Sequence, residues 1–60
     1  MESTKESREK RGVSQVRMAV IAGVSLGTWR TFEVCPIAVT ARKREACERA
    51  LASLRQQEAA

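Results

Sequence analysis

The side chains best equipped for chemistry in this chain are its cations. They gather in two runs, Arg8 to Arg11 and Arg42 to Arg44, with Arg17 and Arg30 standing between them. An arginine presents a rigid fork of N–H donors that matches a phosphate or the O6 and N7 edge of guanine, and a lysine offers a point charge to the same phosphates. The 60 residues hold 11 Lys and Arg against 7 acids, all glutamate, for a net charge of +4. That balance favours a polyanion, either nucleic acid or an anionic membrane surface; with no further pattern such runs are simply solvated faces. Catalytic equipment is sparse by comparison. There is no His, Tyr or Asp and no Gly-rich phosphate loop, so acid–base or metal chemistry would rest on scattered glutamates. We expect neither an enzyme nor a cofactor.

Cys35 and Cys47 are too few for a disulfide framework and have no partners at zinc-site spacing. They read as reduced thiols of a cytoplasmic protein with no bound metal. The longest apolar run, Met18 to Val24, is far short of the roughly 20 residues that a membrane helix needs, and the charged start resembles no signal peptide. A chain of this size buries only roughly 60% of the surface its unfolded form exposes, so burial against a partner is expected.

Positioning the cations requires helices, and the sequence marks where these start and stop. Residues 1–12 contain no apolar side chain after Met1, so a helix there has nothing apolar to bury. Ser3 with Glu6 makes a capping-box pattern and Gly12 a stop, which leaves either a short helix or a mobile basic arm. The domain proper then occupies residues 13–56. Ser14 can cap a helix over about 14–22, Gly23 can close it in the left-handed conformation, and Ser25 caps the next over about 25–33. Pro36 forces a loop. From Thr40 a third helix is predicted over about 41–56, its buried stripe formed by Cys47, Ala50, Leu51 and Leu54 at i, i+3, i+4 and i+7, followed by a frayed tail at 57–60. The expected fold is all-α: a small helix-turn-helix domain with three main helices.

Two helices crossing through a three-residue turn need a small residue at their closest approach, a turn glycine and an apolar plug, and Ala19, Gly23 and Val24 stand at those places. Trp29 and Phe32 supply the buried face of the second helix, with Met18 and Ala22 meeting them from the first. On its opposite face, near the N-terminal end, lie Leu26, Gly27, Arg30 and Thr31. That face is expected to read base edges: Arg30 a guanine, Leu26 a thymine methyl, Thr31 a base or phosphate, with Gly27 allowing close approach. Arg17, Arg42, Lys43 and Arg44 occupy first helical turns, where the helix dipole disfavours cations, a placement that makes sense if phosphates approach the same helix starts.

Ser14 to Ala19, Ala22 to Ser25, Thr28-Trp29 and Phe32-Glu33 resemble the helix-turn-helix of the lambda-repressor/Cro-like (Xre-type) family. Val39 to Ala41, Arg44, Ala50 and Leu54 resemble the third helix of LacI-type headpieces. The likeness covers about residues 13–54. It implies phosphate contact or a neighbour-orienting role for Gln15 and Arg17, DNA contact for Ser25, Leu26, Gly27, Arg30 and Thr31, and support of the backbone contact by Thr28. Trp29 stands where that family usually has a small aliphatic residue.

Val16 and Val20 lie four apart on the first helix where polar residues are usual, so either the N-terminal segment or a second subunit should cover them; Val34, Ile37 and Leu51 are further candidates for a homodimer interface. The resulting expectation is a dimeric transcriptional repressor on an inverted repeat of double-stranded DNA, its recognition helices about 34–36 Å apart or a multiple of that. Small phage or plasmid autorepressors fit this description, with no small-molecule effector. The competing expectation is a helical interaction module, an antitoxin or inhibitor that binds an acidic protein. A membrane-surface peptide fits less well, because the basic and apolar residues are not segregated along one helix.

Overall fold

The computed structural model describes the backbone of residues 2–59 and the side chains of residues 2–57, and it is helical with no strand among them. Three of its four α-helices begin in the same way. Ser3, Ser14 and Ser25 each adopt extended backbone, and each hydroxyl accepts the amide N–H three residues on, at 3.1 Å, starting α1 (Thr4–Lys10), α2 (Gln15–Ala22) and α3 (Leu26–Val34). Such a cap satisfies one of the four amides a helix start leaves open and contributes about 1 kcal/mol. Gly23 ends α2 at φ 74°, a left-handed conformation that costs other residues about 1–2 kcal/mol. A 3-10 turn over Pro36–Ala38 then leads into α4 (Ala41–Ala59). This last helix runs past the expected end near residue 56 through most of the tail, and residue 60 lies outside the described residues.

The core lies where α2 and α3 pack on α4. Met18, Trp29 and Cys47 are fully enclosed, and the Trp29 and Phe32 rings sit 5.3 Å apart at a tilt of 47°. Ala19, Ala50 and Leu54 complete it, and Leu51 is also buried. The predicted core members Ala22 and Val24 are only half-buried, at its edge, and Val39, which the apolar pattern did not single out, is buried because the 3-10 turn carries it back over α3 and α4.

Two expectations need correcting. The N-terminal segment takes the helical form and does have something to bury, although it is polar: Ser7 and Arg8 are both enclosed. Arg55 on α4 donates to Ser7 Oγ at 2.8 Å, and Arg8 donates to the Val13 carbonyl at 2.9 Å. Leu51 is withdrawn from the interface candidates, because at 8% exposed it is already buried within the protomer. Docking of α1 does not cover Val16 and Val20, which remain 56% and 74% exposed.

Candidate nucleic-acid interface

Helix α3 is anchored by Trp29 and Phe32, which turns Gly27, Arg30 and Thr31 to the opposite, exposed side. Leu26 is half-buried at the helix start. Thr31 Oγ1 donates to the Gly27 carbonyl at 2.9 Å, so its hydroxyl proton is used within the helix and its oxygen faces outward as an acceptor. Ser25 Oγ both caps α3 and pairs with Thr28 Oγ1 at 2.9 Å.

An open groove of about 440 Å³ separates the start of α3 from the start of α4. Ser25, Gly27, Thr28 and Thr31 form one wall and Val39, Thr40 and Lys43 the other. The starts of two helices, one lysine and four hydroxyls (Ser25, Thr28, Thr31 and Thr40) thus line a single concavity, and helix starts of this kind favour anions. Five of the eleven sequence-predicted contact residues meet here. Arg17 and Arg42 are exposed but outside the groove. Three consecutive helical residues cannot share a face, and Arg44 is the one turned inward: it is half-buried, and its guanidinium donates to the Val39 carbonyl at 3.4 Å.

Gln15 is drawn inward as well. Its Nε2 donates to Glu33 Oε1 at 3.0 Å, while its Oε1 accepts from Arg30 Nε at 3.3 Å. This leaves Gln15 orienting neighbours, the other role that the family resemblance implied. Glu33 is the residue sequence reasoning missed. Its side chain is only 4% exposed, and it accepts from Arg8 Nε at 2.6 Å, from Trp29 Nε1 at 2.7 Å and from Gln15. Burial alone would raise its pKa, but the hydrogen bonds from Arg8, Gln15 and Trp29 outweigh burial and hold it below the ordinary 4.5. The available signal was the i, i+4 spacing of Trp29 and Glu33, since a buried indole N–H needs an acceptor.

The electrostatic consequence is direct. Glu33 is the sole acid between Glu9 and Glu45, and it points inward, matched by Arg8. Exposed formal charge from Ser14 to Arg42 is therefore cationic throughout, carried by Arg17, Arg30 and Arg42, with Lys43 next in line. Comparison with protein-family models, with curated proteins and with solved structures finds no match to this chain.

Proposed function

We propose that this protein binds double-stranded DNA sequence-specifically as a transcriptional regulator, placing α3 in the major groove. The observation that carries the reading is the convergence of Gly27 and Thr31 with Ser25, Thr28 and Lys43 around one open groove, beside an exposed Arg30, with Glu33, the acid of the same helix, turned inward onto Arg8. Arg30 and Thr31 then read base edges, Leu26 touches a thymine methyl, and Lys43 and the two helix starts hold phosphates. Arg17 and Arg42 extend the phosphate track. On this reading the protein performs no catalysis, uses no cofactor and acts in the cytoplasm, where both thiols stay reduced.

The regulatory output is repression by occupancy. A homodimer, related by a two-fold axis and covering exposed Val16 and Val20, presents two copies of α3 to an inverted repeat, in the manner of a small phage or plasmid autorepressor.

Titration of a random duplex at several salt concentrations tests the first step. Affinity is expected to fall linearly with log salt, and Lys43→Ala to reduce the slope by about 1. A salt-independent or undetectable affinity overturns the reading. Arg30→Ala is expected to cost about 1–3 kcal/mol on a duplex selected by the protein from a randomised pool and to relax one base position. An equal loss on random DNA would make Arg30 a phosphate contact only.

The exposed apolar residues Val16, Val20, Ile21, Val34 and Ile37 favour one second reading, a module that binds an acidic protein partner through its helices. Such a module would show no salt-dependent DNA affinity.

A further inference from the structure

Arg30 is exposed, yet its position is not left to solvent. Its Nε donates to Gln15 Oε1 at 3.3 Å, Gln15 Nε2 donates to Glu33 Oε1 at 3.0 Å, and Glu33 is gripped by Arg8 of α1 at 2.6 Å and by the indole of Trp29 at 2.7 Å. The chain of bonds runs from the docked N-terminal helix, through the partly buried Glu33 and Gln15 beside the core, to the exposed Arg30. It also has a direction suited to recognition. A guanidinium bonded at Nε keeps both terminal nitrogens for an outside partner, and among the described residues neither makes a bond. Those two nitrogens form the end-on fork that matches guanine O6 and N7.

We infer that Gln15 and Glu33 are specificity-determining positioning residues: Glu33, anchored by Arg8, fixes Gln15, and Gln15 holds the Arg30 fork toward the DNA. The inference rests on the DNA-binding reading and deepens it. An unrestrained arginine loses much of its rotamer freedom on binding, so holding it beforehand removes part of that loss. Because the tether touches Arg30 and no phosphate, it favours the selected sequence over random DNA. A helix with no base contact of its own, α1, thereby takes part in reading sequence.

The experiment has one arm without DNA and one with it. In the free protein, the arginine Nε–H signals are followed by NMR relaxation. Arg30 is expected to be as ordered as Arg8 and far more ordered than Arg42, and Gln15→Met to lower it to the level of Arg42 while thermal unfolding stays cooperative. Arg30 as mobile as Arg42 in the unaltered protein overturns the inference, whatever the protein binds. In the second arm, Gln15→Met is expected to weaken binding to the selected duplex about two- to tenfold, the loss from ordering one long side chain, and to leave random duplex unchanged. The same change in an Arg30→Ala background is expected to have no further effect. Equal losses on both duplexes, or a full additional loss in the Arg30→Ala background, overturn it. Glu33→Gln is expected to reproduce the Gln15→Met pattern; if that variant fails to fold, Gln15→Met alone decides. Should the unaltered protein prefer no duplex at all, the DNA-binding reading falls and the relaxation arm still decides whether Arg30 is held.

Discussion

Gly27 and Gly23 stand four residues apart and are glycine for different reasons. At Gly23 the backbone is left-handed, so alanine costs about 1–2 kcal/mol even though no atom lies within 4 Å of where its methyl would sit. Gly27 has an ordinary helical backbone, and a methyl there would meet only the Ser25 hydroxyl, at 4.0 Å. Nothing inside the protein demands glycine at that position, and helix propensity argues against it. Gly27→Ala is therefore expected to stabilise the fold by up to about 1 kcal/mol, read by thermal unfolding, while weakening binding to a selected duplex. If affinity rises together with stability, close approach of DNA to Gly27 is excluded. Glu33 shows the opposite balance. Removing one partner of a buried ion pair costs about 3–5 kcal/mol, which rivals the whole stability of a domain this small.

At the scale of elements, α1 is the unusual member, because it is held by polar contacts in place of an apolar stripe. Ser7 and Arg8 are its buried residues, and Glu2 closes its start by accepting from Ser7, Lys10 and Arg11. The Ser7 and Lys10 hydrogen bonds lead in lowering the Glu2 carboxyl to about 2. Both Glu2 and Glu33 thus have folded-state pKa values below the ordinary 4.5. A depressed carboxylate stabilises the fold fully above its unfolded value and loses that contribution as pH falls toward the folded one. Helix α1 is accordingly expected to loosen as the pH drops from 4.5 toward about 2, seen as loss of amide protection over Thr4–Lys10, with Trp29 fluorescence reporting on Glu33. Glu2→Gln should flatten the part that belongs to the helix start. An α1 equally protected across that range would mean that these carboxylates do not hold it.

For the molecule as a whole, the question is what covers its remaining apolar surface. Val16 and Val20 on α2, and Val34 and Ile37 after it in sequence, are each more than half exposed, while Leu51 is enclosed. Val20→Glu is expected to leave thermal stability within about 0.5 kcal/mol, since the side chain is 74% exposed and packs on little within the protomer. On the dimer reading the same change splits the sedimenting species to monomers and lowers affinity for a full inverted repeat while sparing a half-site. A chain that sediments as a monomer at every concentration, with or without the substitution, would exclude a homodimer in the absence of DNA. Among the described residues no helix is long and apolar enough to cross a membrane.

What the amino-acid sequence determined by itself is everything that local geometry dictates. Ser14 and Ser25 start helices because a hydroxyl can reach the amide three residues on, Gly23 stops one because glycine takes a positive φ at little cost, and the stripe Cys47, Ala50, Leu51 and Leu54 declares the buried face of α4 by its spacing. The exposed face of α3 follows from the same reasoning, as the side opposite Trp29 and Phe32. Only the tertiary structure decided which charges stay outside. The Arg8–Glu33 pair spans 25 residues and the Arg55–Ser7 bond 48, and neither leaves a periodic trace in the sequence. Pairings of that kind depend on how helices dock, so they turned a polar N-terminal segment into a packed helix, drew Gln15 and Arg44 inward, and enclosed the acid of α3, Glu33.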